Sequence, residues 1–466
     1  MSTTVQVQAP PAQAGAPGLQ APPANPARRG FRLPTKQSLL DFGLIFGGMA
    51  FATAAGFILK VLIGRGLGDT GLGIFAMCYA TLTVTTTLGD VGIRHSLITL
   101  ASRTRAEDPV RAQGYVAAGL LLKLVTGIVV MALGWVLAPW AAEVLFRKPQ
   151  VAPYLQITAM GFLLWGLWDG VEGSLQSSQR FRSSAILRVL LEGTRLTSFL
   201  VLWLGMEGRF LSMDRFLWLY FLAPLLAVLI GSWLLNSSLR PRSGQLLESL
   251  KRLVAFAPGV FFFRTATMAL LFLDSLALAR YGELSQVGQY EAAKGLAYAI
   301  LVVSESLGMV LLPKVNLVKT REAMKAVLRR FMVYFAILAV AAALWLSVAG
   351  ALLALFGPAF TRPEVVRTFQ ILVVATLFTI PATTLAMVML ALGQPGLLGR
   401  VAAAQVLLGL FTYPVTVVQF GMVGTALTTV GLQLLGVLAL TVALRPLLAG
   451  GGAVSPFPDE GARGPA

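Results

Sequence analysis

Apolar runs of about twenty residues or more follow one another almost without pause between residues 39 and 447. An α-helix needs ~20 mostly apolar residues to cross the hydrocarbon core of a bilayer. A globular protein has no means of hiding so much apolar surface. The chain therefore reads as an all-α, polytopic membrane protein. Twelve spans fit the pattern, with rough limits 39–63, 71–98, 114–138, 151–174, 183–206, 215–237, 254–279, 285–312, 330–356, 364–392, 396–419 and 421–447. Only Gly421 and its neighbours separate the last pair.

The net charge of +17 would point to nucleic acid on a soluble protein. In a polytopic membrane protein it marks the cytoplasmic loops, and no nucleic-acid partner is expected. With both termini cytoplasmic, the cytoplasmic segments and adjoining span ends hold 23 of the 37 Lys and Arg, the outer ones hold eight, and six lie deep in spans. Residues 1–36 carry seven prolines and seven alanines and end in Arg28, Arg29, Arg32 and Lys36. They read as a disordered cytoplasmic tail with no signal-peptide pattern. Residues 449–466 read as a second such tail. Between them the expected units are a first six-helix bundle (37–238), a cytoplasmic linker (239–253) and a second six-helix bundle (254–448). Every loop is short, so whatever the protein does happens within the membrane.

The two bundles resemble each other. FILKVLIGRGLGDTGLGIFAMCYA (57–80) aligns with LFLDSLALARYGELSQVGQYEAAKG (271–295). Gly68 and Asp69 match Gly282 and Glu283, and Lys60 falls on Asp274. One inserted residue later, Gly73, Phe75 and Asp90 match Gly288, Tyr290 and Glu305. An even number of spans per half leaves both halves pointing the same way, an arrangement known in secondary transporters with the site at the repeat interface.

Thirteen charged residues lie deep in the spans: Lys60, Asp90, Lys123, Asp169, Glu172, Arg188, Glu192, Arg195, Arg264, Asp274, Glu291, Lys294 and Glu305. Each deep Asp, Lys or Arg costs ~2.5–3.5 kcal/mol on an insertion scale if it faces lipid, so they are expected to face a wet cavity or each other. Spans 1, 2, 7 and 8 carry seven of them, which predicts a polar cavity bounded by the first two helices of each half. Its expected substrate-binding or coupling residues are Lys60, Asp90, Arg264, Asp274, Glu291, Lys294 and Glu305. Asp274 opposite Lys60 would form a bridge that opens as the halves rock. Lys123, Asp169, Glu172, Arg188, Glu192 and Arg195 form either a secondary cavity or a structural ion-pair network, because the helical spacings bring Arg188, Glu192 and Arg195 onto one face. Arg94 lies within a turn of a span end and is set aside as able to reach water. Pro258-Gly259 reads as a kink near the start of span 7.

Other chemistry finds little support. There is one cysteine, Cys78, and one histidine, His95, so neither a disulfide nor a multi-ligand metal centre is expected. No phosphate-binding loop, nucleophile elbow or HExxH motif occurs. No long outer loop offers a place for catalytic residues, and an enzyme is not expected.

The first span running into GRGLGDTGLGIFAMCYA, then LGDVGIRHSL, resembles the start of bacterial polysaccharide-biosynthesis flippases. FLDSLALARYGELSQVGQYEAAKGLAYAI followed by LLPKV resembles the start of their second half. These belong to the superfamily that also holds multidrug and toxin extruders and the lipid II flippase. The resemblance implies two six-helix bundles in a V with alternating access. It implies a polyprenyl-pyrophosphate-linked oligosaccharide as substrate, turned to the outer leaflet of the bacterial inner membrane for O-antigen, capsule or exopolysaccharide synthesis. The expected partners are that lipid-linked glycan, membrane lipids, and glycosyltransferases or a polymerase of the same pathway. No cofactor is expected beyond coupling to a proton or sodium gradient. A cation-coupled multidrug exporter of the same fold and a non-transporting scaffold of cell-wall assembly are the rival readings. An acidic, aromatic cavity would favour the exporter; the mixture of six basic and seven acidic deep groups favours an anionic lipid head group.

Overall fold

A computed structural model describes residues 36–105, 107–205, 211–235, 243–256, 258–316, 335–391 and 394–449. Contacts divide the chain into Met1–Gly43 and a second compact unit, Leu44–Ala466. Among the described residues every regular element is helical. Among the described residues six helices are long and apolar enough to cross a membrane. Large apolar side chains stand exposed along them, among them Val136, Trp233 and Phe411 at 73 to 76%. Such faces are tolerable only against lipid.

Two helices are too long for one crossing. α1 (Lys36–Asp90) and α14 (Pro395–Ala449) each contain 55 residues. At 1.5 Å per residue each would extend ~80 Å, more than twice a bilayer core of ~30 Å. Each is broken at one glycine with positive φ, Gly68 (φ 74°) and Gly421 (φ 56°), a backbone region that costs glycine nothing. Around Gly421 the chain folds back on itself. Thr416 meets Thr428 at 2.7 Å, Tyr413 meets Thr429 at 3.0 Å, and Gln405 Nε2 donates to Leu432 O at 2.7 Å. The single glycine between the last two runs is therefore the turn of a helical hairpin.

The other helices follow the apolar runs with local departures. α2 (Ile93–Thr104) is cut from α1 at Val91 and Gly92, both with positive φ. α3 (Pro109–Trp140) starts on Asp108, whose side chain accepts the Arg111 N–H at 2.9 Å, with proline in the first turn. A π segment (Ala141–Leu145) and a 3₁₀ turn (Pro149–Val151) lead into α4 (Ala152–Ser177) and then α5 (Phe181–Leu204). The sixth run is two helices, α6 (Met213–Leu222) and α7 (Pro224–Leu234), divided at Pro224. α9 (Pro258–Tyr281), α10 (Leu284–Asn316), α11 (Phe335–Ser347), α12 (Ala349–Ala354) and α13 (Pro363–Ala391) complete the second half.

Two expectations change here. The 239–253 linker is helical from Ser243, as α8 (Ser243–Phe256). Its apolar side packs Leu246, Leu250 and Leu253 against Leu97, Tyr115 and Val116 of α2 and α3, and Glu248 accepts from Arg111 at 2.7 Å. Pro258 produces no kink within a helix; it is the first residue of α9, where its missing N–H costs nothing.

Candidate functional site

The deep charges gather in two clusters. The first is built where α1 ends. Asp90 is the last residue of α1, and one of its oxygens accepts the Arg94 N–H at 3.2 Å as the chain turns into α2. Lys123 of α3 is only 3% exposed and joins Asp90 to Asp169 of α4, with its Nζ 2.7 Å from Asp169 Oδ2. Arg94 bridges Asp169 and Glu172, reaching Glu172 Oε2 at 3.1 Å and Gln176 Oε1 at 3.3 Å. Arg188 of α5 closes the series on the other oxygen of Glu172, its Nε at 3.0 Å. Farther along α5, Arg195 pairs with Glu192 at 2.8 Å, and its guanidinium lies over the rings of Trp165 and Tyr220 at 4.7 and 4.3 Å.

These groups surround a cavity of about 520 Å³. Tyr79, Thr83, Thr86 and Thr87 of α1, His95 and Gln176, and Trp165 and Trp168 of α4 complete its walls, and Met268 of α9 reaches it from the second half. Four carboxylates (Asp90, Asp169, Glu172, Glu192) and three cations (Arg94, Lys123, Arg188) line it; Arg195, outside the lining, pairs with Glu192, so the cluster as a whole is close to neutral. Neutrality is what makes ions tolerable at membrane depth. Arg188 is the most open of these cations in its ion pair, its side chain 38% exposed.

The second cluster is buried except at Lys60. Lys294 of α10 donates to Asp274 Oδ1 at 2.8 Å, to Leu271 O at 2.9 Å and to Ser275 Oγ at 3.2 Å. The rings of Phe272, Tyr290 and Tyr298 stand 5.7 to 5.9 Å from its Nζ, within reach of a cation–π attraction. Tyr290 donates to Asp274 Oδ2 at 2.8 Å, and Ser275 donates to Glu291. Lys60 of α1 reaches Glu291 Oε2 at 3.5 Å. A second cavity of about 340 Å³ lies beyond Asp274, among α9, α10, α13 and α14, with mainly apolar walls such as Leu270, Leu301, Ala386 and Leu432.

The sequence expectations map onto this geometry unevenly. Asp90 joins the first cluster; Lys60, Asp274, Glu291 and Lys294 form the second. The side chains of Arg264 and Glu305 lie outside the described residues. The expected Lys60–Asp274 bridge is replaced by Lys60–Glu291 and Asp274–Lys294. Lys123, Asp169, Glu172, Arg188 and Glu192, expected as a secondary cavity or a packing network, line the larger cavity. Arg94, set aside at a span end, is its central bridge, with a side chain only 13% exposed. Its only signal in the sequence was a carboxylate four residues earlier, Asp90; the break at Val91 and Gly92 means that the two share no continuous helix.

A family model described as "Polysaccharide biosynthesis protein" matches residues 40–319, well over half of the chain. The chain belongs to the polysaccharide biosynthesis protein family. Among solved structures, the lipid II flippase MurJ in an inward closed conformation superposes with a TM-score of 0.68 at 14% identity, over 86% of this chain and 87% of that one. An inward-facing multidrug resistance MATE family transporter of the MOP superfamily gives 0.67 at 14% identity, over 85% and 95%. A MOP superfamily transporter from Pyrococcus furiosus, described as having a binding pocket of reverse polarity, gives 0.54 at 13%, over 88% and 94%. No curated protein sequence matches. This member of the polysaccharide biosynthesis family thus has the fold shared by MATE transporters and MurJ.

Proposed function

We propose that the protein carries a polyprenyl-pyrophosphate-linked oligosaccharide from the cytoplasmic to the outer leaflet of the bacterial inner membrane, with both termini in the cytoplasm. The observation that carries this reading is the first-half cavity, which sets charges, hydroxyls and two tryptophans together at membrane depth. Its volume lies within the usual range of small-ligand pockets, ~300–1,000 Å³, so it accommodates the sugar-phosphate end of the substrate. The carboxylates, Gln176 and the threonines accept or exchange hydrogen bonds with sugar hydroxyls, and the tryptophan faces pack on sugar rings. Arg188 is the first cation an entering phosphate meets, and its planar fork suits phosphate oxygens. Binding then exchanges Glu172 for the substrate anion. Release of that carboxylate is a natural point at which a proton or sodium gradient enters the cycle. Glycosyltransferases and a polymerase of the same pathway supply and consume the substrate.

A wall with three cations, whose fourth carboxylate is already paired with Arg195, suits an anionic head group better than a cationic drug, which favours the flippase over an exporter of the same fold. The test is leaflet accessibility of a lipid-linked glycan in vesicles with and without the protein. Transport exposes the glycan to an added, membrane-impermeant glycan-modifying enzyme. Equal accessibility in both preparations would end the reading.

A further inference from the structure

At the Gly68 end the two halves meet through main chain. A Cβ on Gly73 would lie 1.8 Å from Leu284 O, and one on Gly288 would lie 1.9 Å from Asp69 O. In the repeat alignment Asp69 matches Glu283, the neighbour of Leu284, and Gly73 matches Gly288, so the two contacts join corresponding segments of the two halves. The contact is therefore reciprocal, as an interface between twofold-related surfaces must be. Asp69 adds a side-chain bond across it, accepting from Gln289 Nε2 at 2.7 Å.

A second reciprocity flanks the first. Arg65, near the Gly68 end of the first span, donates from Nε to Leu355 O at 2.6 Å. Arg280, near the matching end of α9, donates to Val144 O at 2.8 Å and to Leu145 O. The two acceptor sites are themselves counterparts. Leu145-Phe146 and Leu355-Phe356 each end the third apolar run of their half, and both phenylalanines are buried. Each pair is followed by a residue with positive φ, Arg147 (57°) or Gly357 (125°), and then by a 3₁₀ turn that starts with or just after a proline (Pro149–Val151, Pro358–Thr361). Each arginine thus leaves the first span of one half and caps the carbonyl end of the third span of the other. The last carbonyls of a helix lack intrahelical donors and carry partial negative charge, so a guanidinium there satisfies both needs.

We propose that Arg65 and Arg280 are a matched pair of latches that hold the Gly68 end of the transport path shut, and that both must let go before this end opens. The inference rests on the transport reading for its purpose, but its test needs no substrate. In a Cys78→Ser background, Thr83→Cys places a thiol on the cavity wall. Its rate of labelling by a membrane-impermeant maleimide added from the Gly68 side measures opening there. Losing hydrogen bonds to charged groups on both sides should raise that rate about tenfold in the Arg65→Gln, Arg280→Gln double variant. Each single variant should raise it about threefold, less than a buried charged hydrogen bond would give, because these bonds are exposed to solvent. Arg103→Gln removes the same charge from an exposed position on α2, near the opposite end, and should leave the rate unchanged. Parent-rate labelling of a normally melting double variant overturns the proposal, as does an equal increase in Arg103→Gln. If the double variant does not fold, parent-rate labelling in both single variants overturns it. A failed leaflet assay with raised labelling would remove the flippase reading and leave the latch intact.

Discussion

The two charged clusters use the same residue types to different ends. In the first half, Lys123, Arg94 and Arg188 share Asp90, Asp169 and Glu172 in an open series, and Asp169 and Arg188 remain 21% and 38% exposed to the cavity. In the second half, Lys294 is held by a carboxylate, a carbonyl and a hydroxyl beneath three rings, and the Lys294 and Asp274 side chains are only 6% and 3% exposed. Ions within a water-filled cavity are free to exchange partners with a ligand. Ions sealed away from water have fixed partners and fasten helices together. Charge at membrane depth therefore marks a binding wall only where solvent reaches it.

The sharpest way to break this contrast is at Lys294. Lys294→Met strands the buried Asp274 carboxylate, only 3% exposed, without its cation and should lower stability by ~3–5 kcal/mol, read as a large fall in melting temperature in detergent. Adding Asp274→Asn should restore most of the loss, because the pair is then neutral. A small fall for the single variant would mean that water reaches the second cluster after all. Arg188→Gln makes the opposite demand. Its exposure should keep the melting temperature close to that of the parent, while the apparent affinity for lipid-linked glycan drops about tenfold or more, as expected for losing one charged hydrogen bond. A normal affinity would move the anion site away from Arg188. The smallest effect is expected at Lys60, whose side chain is 29% exposed and whose partner sits 3.5 Å away. Lys60→Gln should cost less than ~1 kcal/mol; a loss comparable to that of Lys294→Met would make Lys60 part of the sealed cluster.

Much of the fold was legible before any coordinates. The length of the apolar runs reports the bilayer, and Gly421 alone between two of them marks a hairpin because only glycine enters positive φ at no cost. The repeat register pairing Gly73 with Gly288 named two residues that the structure places against each other's halves. The site was legible in residue type but not in grouping. Lys60 and Asp274 are aligned counterparts, yet counterparts in a tandem repeat need not touch: Lys60 meets Glu291, and Asp274 turns into its own half toward Lys294. Arg94 looked free to reach water from a span end. The break at Val91 and Gly92 instead redirects α2 against α4, so that the Arg94 guanidinium lies between two α4 carboxylates.

By itself the sequence determined that this chain lives in a membrane, that its last two helices turn at Gly421, and that its buried charges need partners. Those follow from local quantities: hydropathy summed over a helix, the φ a residue tolerates, and the cost of an ion in hydrocarbon. Only the tertiary structure decided which carboxylate answers which cation, and which of the two clusters water enters. Partner choice depends on the packing and rotation of helices distant in sequence, which a one-dimensional pattern of charges does not contain.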